Sequence, residues 1–392
     1  MDVITISRAY GAGGGEVAKK LAAALGWELL DRELLHQAAA IEHVPDADLE
    51  RLDEHEIGFF DRFRFHPPHE RYLHGLTEAA RRAAARGKVV LVGRGVRHLL
   101  GDADALHVRL VATPAWRAER MARREGWSGT EAEARVAAVD RTRDRFMRYF
   151  FGPAATDPAS FDLVINTERV PPDDVVAGIV QMITPKPRGE SSSAADQSRR
   201  VVTLSRELGA WGTDFIPQLA RLLELKVCDR ELLADESRRL GVPVEALQAL
   251  DERPIGLIDW ALPSSLHQRY VEAMAPLIKE RAAAGGVLLV GRGGNRILAD
   301  DPAAFRLRLV ATRDFRIRRV MSWHWMREGP AARLIDTTDE RRAAFAQNAF
   351  GGNWNDALEY DLTLNTGRLG PPSIDVAAFF ALRYWARVGG AP

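Results

Sequence analysis

The chain has 392 residues, of which 46% are hydrophobic and 28% charged, enough for two domains with ordinary cores. Its 54 basic and 54 acidic residues cancel, so nothing attracts it as a whole to nucleic acid or membrane, and neither is predicted as a partner. The single cysteine, Cys228, excludes an internal disulfide framework and a cysteine-rich metal site. The chain lacks a signal-peptide pattern and any apolar run near the roughly 20 residues that span a bilayer, so we expect a cytoplasmic protein.

One sequence unit occurs twice in the chain. The stretch VITISRAYGAGG that begins at Val3 returns as VVTLSRELGAWG from Val201, and LLDRELL, VLVGRG and FDLVINT have later counterparts as well. Residues 185–200 between the copies are rich in Pro, Ser and charge, which predicts a flexible linker. We therefore predict two tandem domains of the same kind, at 1–184 and 201–388.

Short apolar runs alternate with helical patterns along each copy. In the first copy the apolar runs are 2–6, 88–93, 106–112 and 161–166, and the helical patterns are 16–25, 115–125 and 130–150. This alternation predicts an α/β fold, a parallel sheet with helices on both faces. Ligands of such sheets bind at the carboxyl ends of the strands, where the first glycine-rich loop lies.

The glycine-rich loop ISRAYGAGGG lies between the first predicted strand and the first predicted helix. Glycines let backbone amides approach an anion and the helix adds its positive end, so we predict a phosphate-binding loop, with a plain tight turn as the alternative. The pattern departs from GxxxxGK[ST], because Arg8 holds the first glycine position, Gly14 the lysine position and Gly15 the hydroxyl position.

The second copy repeats this departure and adds Trp211 inside its loop. The predicted phosphate-binding residues of the two loops are Ser7, Arg8, Gly11, Gly13, Gly14 and Gly15, with Arg206, Gly209, Gly212 and Thr213.

Together these motifs resemble the bacterial cytidylate kinase-like family, relatives of cytidylate kinase among the P-loop nucleoside monophosphate kinases. The resemblance rests on ISRAYGAGGGEVAKKLA, DRELL, VGRG, a long arginine-bearing segment and DPASFDLVINT, and it extends over both copies. It implies an adenylate-kinase-type P-loop fold that binds ATP, Mg²⁺ and a nucleoside monophosphate, with CMP or dCMP as the first candidates. It also implies that the Ser-Arg pair before the loop is a usual feature of the family.

Arg94 follows a predicted strand within VGRG, and we predict that it holds an anion, because a guanidinium grips phosphate with two parallel hydrogen bonds. An ion pair with Asp31, or with a carboxylate of the arginine-bearing segment, is the alternative. Arg292 is its counterpart in the second copy and a predicted substrate-binding residue. The resemblance implies Gly-Arg-Asp in this motif, with the aspartate helping to recognise cytosine; here Gly95 and Gly293 stand in its place.

Asp31 ends the run WELLD, where a carboxylate could hold Mg²⁺ through water or orient the acceptor phosphate. Capping of the next helix is a compatible alternative. The resemblance implies a Tyr-Arg pair a few residues later that grips the monophosphate, but His36 and Gln37 stand there. Arg32 or Arg71 is therefore predicted to bind the acceptor, and no metal site built from protein side chains alone is predicted.

Residues 115–151 contain nine arginines, and phosphoryl transfer needs cations around the transferred group. The resemblance implies that this segment is a lid, and Arg117 and Arg143 are predicted to be catalytic with Arg94 and Asp31. A solvated helix with intrahelical ion pairs is the alternative. The second copy aligns only at the ends of this segment, so we predict an insertion, a compensating deletion and a degenerate lid and loop there.

These observations predict an ATP-dependent nucleoside monophosphate kinase-like phosphotransferase that is active mainly in the N-terminal copy. A catalytically inactive nucleotide-binding module, regulatory or structural, is one alternative, and a kinase for another small acceptor is a second. Docking of the two copies as an internal pseudo-dimer is a further hypothesis.

Overall fold

The computed structural model describes residues 1–31, 68–93, 95–101, 104–184, 199–229 and 266–389. The chain divides into two compact units, Met1–Lys186 and Pro187–Pro392. Most of the predicted linker, 185–198, lies outside the described residues.

The N-terminal unit is built on five parallel strands. They are β1 (Val3–Arg8), β2 (Glu28–Leu30), β3 (Val89–Val92), β4 (Leu106–Val111) and β5 (Leu163–Asn166). Their pairing gives the order β2-β3-β1-β4-β5, with β1 at the centre. The helices are α1 (Gly14–Leu25), α2 (Pro68–Arg86), α3 (Val96–Leu100), α4 (Pro114–Glu125), α5 (Gly129–Phe151) and α6 (Pro172–Ile183).

The strands of this unit are largely buried on both faces, as expected for a sheet covered by helices. Every residue of β3 and β5 is buried, as are the first four residues of β1. The carboxyl ends of β1 and β4 lie side by side, with Ser7 in register with Arg109 and Arg8 with Leu110. The glycine-rich loop therefore leaves the centre of the sheet, and the predicted α/β fold class is confirmed.

The C-terminal unit repeats this arrangement. Its strands are β6 (Val201–Arg206), β7 (Lys226–Cys228), β8 (Val287–Val290), β9 (Ala304–Val310) and β10 (Leu362–Asn365), paired in parallel in the order β7-β8-β6-β9-β10. Its helices are α7 (Gly212–Leu223), α8 (Leu266–Ala284), α9 (Gly294–Ile297), α10 (Arg313–His324), α11 (Glu328–Phe350), α12 (Thr366–Leu369) and α13 (Pro372–Gly389). Within the described ranges, no helix of either unit is long and apolar enough to cross a membrane.

The helix pair α10 and α11 corresponds to α4 and α5 without a gap. Each unit has a helix of 12 residues followed by one of 23, and corresponding helices begin 199 positions apart. The predicted insertion and compensating deletion are therefore wrong. Pro330 fits because it lies in the first turn of α11, where a backbone N–H has no partner within the helix. The second copy retains the backbone of this helix pair and changes its side chains.

Candidate functional site

The glycine-rich loop of the N-terminal unit connects β1 to α1. Gly11 and Gly13 both have φ of +80°, a conformation that favours glycine. Gly13 is the N-cap of α1 and no side chain caps this helix, so the amides of its first turn have no partner within the helix. A Cβ added at Gly15 would meet nothing within 4 Å. The loop thus offers backbone donors and open space to an anion.

The absent lysine is explained by the side chain of Arg8, which lies across Gly14. A Cβ at Gly14 would lie 2.8 Å from both Cβ and Cγ of Arg8, closer than carbon atoms approach. In the second copy, a Cβ at Gly212 would lie 2.7 Å from Cδ of Arg206. The arginine at the first position and the glycine at the lysine position are therefore one packing feature, present in both copies.

Asp31 accepts a hydrogen bond from the Arg8 guanidinium, with Nη2 and Oδ1 3.1 Å apart. In the second copy, Asp229 lies 3.7 Å from Arg206 and 3.9 Å from Arg292. The carboxylate at the end of the second strand thus pairs with the arginine before the loop in each copy, which leaves its role toward Mg²⁺ or acceptor a prediction.

For three predicted site residues the structure describes no side chain. Arg32 and Arg94 are not described, and of Arg71 only the helical backbone is. Their predicted roles remain predictions.

Arg117 is held by the protein rather than exposed to a ligand. Its side chain is 5% exposed, and Nη2 lies 2.7 Å from the Asp140 carboxylate of α5. Nε donates to the carbonyl of Ala112 and Nη1 to that of Tyr10 in the loop, both at 2.9 Å. These contacts fasten the loop to α4 and α5, and the predicted catalytic role of Arg117 remains a prediction.

Arg143 lies directly against the loop. Its Nη1 donates to the carbonyl oxygen of Arg8 at 3.2 Å, and its guanidinium lies 5.4 Å from the centre of the Tyr10 ring. Arg342 makes the same bond to Arg206 in the second copy, at 2.6 Å. Arg143 thus lies at the loop, and its predicted catalytic role remains a prediction.

Arg120 was not singled out from the sequence, yet it reaches the first turn of α1. Its Nη2 lies 2.7 Å from Glu16, and its guanidinium lies 3.1 Å from where a Cβ of Gly13 would be. A hydrogen bond from Lys20, together with Arg120, holds the pKa of Glu16 below its usual value. In the second copy Arg319 pairs with Asp214 at the same 2.7 Å. Comparing the copies for acid–base pairs could have found this contact.

Thr167 explains why FDLVINT recurs. Its hydroxyl donates to the carbonyls of Ala12 in the loop, at 2.9 Å, and Val111 at the end of β4, at 3.1 Å. Thr366 makes the matching bond to Ala210, at 2.9 Å. The last residue of the motif therefore fastens the loop to the sheet.

Several lid arginines pair along the helix surface, as the alternative interpretation predicted. Arg123 lies 3.6 Å from Glu119 and Arg135 lies 3.0 Å from Glu131, each pair one turn apart and exposed. Exposed pairs of this kind contribute little to stability. The nine arginines therefore have different roles. Some contact the loop, and others form ion pairs on the exposed surface of the helices.

Gly95 has a physical reason to replace an aspartate. It has φ of +71°, and an added Cβ would lie 2.2 Å from the ring of Phe151 at the end of α5. In the second copy, Phe350 lies equally close to Gly293, at 2.2 Å. An aromatic ring fills the space that a side chain in the Gly-Arg-Asp motif would need.

The second loop differs from the first in two ways that matter for phosphate. Trp211 takes the place of Gly13, as N-cap of α7 with φ of +61°. Glu207 takes the place of Ala9, and its carboxylate lies 3.4 Å from Arg308 and 3.5 Å from Arg316. The second copy thus places an additional carboxylate beside the counterparts of Arg109 and Arg117.

Asp339 lies beside Glu207 and Arg316, and its pKa is shifted by this buried environment. Burial raises the pKa of Asp339 to about 6, because its loss of water and the nearby Glu207 outweigh the attraction of Arg316. One oxygen, Oδ2, lies 2.5 Å from Arg316, while Oδ1 is buried without a hydrogen bond.

Comparison with known proteins gives a consistent match in both halves. The model of the Cytidylate kinase-like family matches residues 3–169 and again 201–368. The cytidylate kinase of Pyrococcus horikoshii is 32% identical over 179 residues, which cover 45% of this chain and 84% of that protein. The cytidylate kinase of Thermococcus sibiricus is 30% identical over 203 residues, which cover 50% and 96%.

Among solved structures, an uncharacterized protein from Eubacterium ventriosum is 20% identical with a TM-score of 0.37, covering 47% of this chain and 100% of that one. A shikimate kinase from Acinetobacter baumannii in complex with shikimate is 17% identical with a TM-score of 0.30, covering 47% and 96%.

Proposed function

The chain belongs to the cytidylate kinase-like family, and from this membership we propose that its N-terminal copy is an ATP-dependent nucleoside monophosphate kinase. The observation that carries the proposal is the first loop, with glycines at its turns, an uncapped helix behind it and open space at Gly15. These features suit the phosphates of a nucleotide donor.

In this proposal the backbone amides of the loop bind the phosphates of ATP. Arginine side chains supply the positive charge that a lysine supplies in the consensus loop. Arg143 lies at the loop, and Arg94 is the candidate at the end of β3. Mg²⁺ would neutralise charge on the bound phosphates, and Asp31, whose side chain is 39% exposed, would orient it. Arg117 and Thr167 would hold the loop still, so that binding energy is not spent on ordering it.

CMP and dCMP are the first acceptors to test, because the relatives are cytidylate kinases. The Phe151 ring over Gly95 favours the second candidate function, a kinase for another small acceptor, because no side chain at Gly95 can reach a cytosine. Arg32 and Arg71 are the proposed acceptor-binding residues.

The test is ATP consumption with Mg²⁺ by the full chain, against CMP, dCMP, UMP, AMP and GMP. The second copy supplies a matched pair of variants, since tryptophan stands there at the positions of both Gly13 and Gly126. Both glycines have positive φ, but only Gly13 lies in the loop, and a Cβ at Gly126 would meet nothing within 4 Å. Gly13→Trp should abolish turnover, and Gly126→Trp should retain it.

Equal turnover in the Gly13→Trp and Gly126→Trp variants would show that the first loop does not take part in phosphate transfer. Wild-type chain that binds ATP but transfers phosphate to no acceptor would support the inactive nucleotide-binding module instead.

A further inference from the structure

Trp325, in the turn between α10 and α11, is 95% exposed, the highest value among the exposed large hydrophobic residues that the structure describes. As the C-cap of α10 it also has φ of +52°, in the left-handed region that favours glycine. The first copy has Gly126 here, with φ of +73°. The second copy thus replaces an unstrained glycine with a strained indole that adds almost no packing, which points to a function outside the fold.

The charge around this turn differs between the copies as well. Residues 119–133 contain three arginines and four glutamates, whereas 318–332 contain three arginines and one glutamate, so the formal net charge changes from −1 to +2. Arg318, Arg327 and Arg333 are exposed and stand where the first copy has glutamate, serine and alanine. Among the residues that the structure describes, none forms an ion pair with these three arginines. The turn therefore presents unneutralised positive charge beside an exposed aromatic ring.

The shape of the turn limits what can bind it. Residues 324–330 are exposed except Met326, which packs between the two helices. The ring of Trp323 lies 4.7 Å from the guanidinium of Arg319, so Trp325 is the indole that points away from its own unit. A projecting turn offers no groove for an extended peptide or for a nucleic-acid strand. A second copy of the chain at the same turn would bring like charges together, so the charge favours an anionic partner.

A bilayer that contains anionic lipids matches both the aromatic ring and the charge. Tryptophan is enriched at the boundary between headgroups and acyl chains, where its ring is in apolar surroundings and its N–H finds a polar partner. Arginine side chains beside it can lay their aliphatic stems along the apolar surface and keep their guanidinium groups among the lipid phosphates. Peripheral attachment needs apolar insertion together with basic charge, and this turn supplies both.

We propose that the turn between α10 and α11 attaches the C-terminal copy to the surface of an anionic bilayer. Trp325 inserts among the headgroups, and Arg318, Arg327 and Arg333 pair with the lipid phosphates. The absence of a membrane from the partners predicted from the sequence rests on the zero net charge of the whole chain, whereas this attraction is local and acts within about 10 Å. The contact does not depend on nucleotide binding or kinase activity in either copy.

The experiment is flotation of the full chain with vesicles of phosphatidylcholine, with and without phosphatidylglycerol. Trp325→Gly and Arg327→Ser both install the residue of the first copy, and both should fold well, because glycine suits the positive φ and serine is a good N-cap for α11. Arg123→Ser is the matched control, since it removes the same charge from an exposed position of the first copy. Thermal unfolding checks that each variant is folded.

We expect the wild type to float with the anionic vesicles and to stay in solution with the neutral ones. Trp325→Gly should weaken this partition about tenfold or more and Arg327→Ser about fivefold, while Arg123→Ser should leave it unchanged. A wild-type chain that does not float with anionic vesicles, or that floats no better than Trp325→Gly, would overturn the proposal. Binding of fluorescent polyglutamate or of single-stranded poly(dT) without binding of vesicles would assign the turn to an acidic protein or to nucleic acid instead, and would overturn it as well.

Discussion

Two neighbouring glycines of α1 allow a sharp test of the packing that excludes the lysine. Gly14 and Gly15 both lie in the first turn of the helix, and neither has a positive φ. A Cβ at Gly14 would lie 2.8 Å from Cβ and Cγ of Arg8, whereas a Cβ at Gly15 would meet nothing within 4 Å. Alanine at the two positions therefore differs mainly in this one collision.

The expected magnitudes follow from this difference. Replacing a helical glycine by alanine stabilises a helix by about 0.5–1 kcal/mol, so Gly15→Ala should be neutral to stabilising. At Gly14 the same gain is opposed by an overpacking cost of about 1–3 kcal/mol, because the colliding atoms are the stiff base of the Arg8 side chain. We expect Gly14→Ala to be the less stable variant by about 2 kcal/mol, and Gly14→Lys to suffer the same collision.

The assay is urea unfolding of the full chain, with Arg8→Gly, Gly14→Lys and the double variant forming a cycle. Arg8→Ala would not suffice, because the alanine Cβ would still lie 2.8 Å from the new one. The double variant, which restores both consensus residues, should be more stable than the sum of the single effects by about 1–2 kcal/mol. Additive effects, or equal stability of Gly14→Ala and Gly15→Ala, would refute the claim that positions 8 and 14 are one feature.

Three further outcomes are expected. Arg117→Ala should lower the free energy of unfolding by about 3 kcal/mol or more, because it leaves buried partners unpaired. Arg141→Ala is the control at an exposed position and should change the free energy of unfolding by less than about 0.5 kcal/mol, and urea unfolding compares the two variants. Gly95→Asp should destabilise by more than about 2 kcal/mol, with partial rescue by Phe151→Ala, in thermal melts. The pKa of Asp339 rises from 3.8 to about 6 on folding, so between these pH values the folded chain keeps a proton that the unfolded chain releases. The free energy of unfolding should therefore fall as pH rises through this interval, by up to about 1.4 kcal/mol per pH unit. Asp339→Asn should remove this slope in urea unfolding between pH 4 and 7, and an unchanged slope would contradict the assignment.

The elements that the sequence predicts well are those with strong local patterns. The apolar run and glycines before α1 identify β1 and the loop, and the spacing over 115–125 and 130–150 locates α4 and α5 to within about one residue. The sequence does not align the second helix pair with the first because their exposed residues differ. The lengths of the helices, which are equal in the two copies, become visible only in the structure.

The site contacts were harder to predict because their partners are distant in sequence. Arginine spacing does not reveal burial, so the sequence does not distinguish Arg117, which is buried, from Arg123, which lies on the surface. The packing of Phe151 on Gly95 joins the end of one helix to the start of another, and no local pattern records it.

Bonds from α5 and from the residue after β5 hold the first loop, and both recur in the second copy. The bonds of Arg143 and Thr167 to the first loop have matching bonds from Arg342 and Thr366 to the second, although the second loop contains Trp211. These residues therefore persist across a large change in the loop they hold. These arginines and threonines therefore do not distinguish the two copies, whereas the residue at the N-cap of the loop helix does, glycine in the first copy and tryptophan in the second.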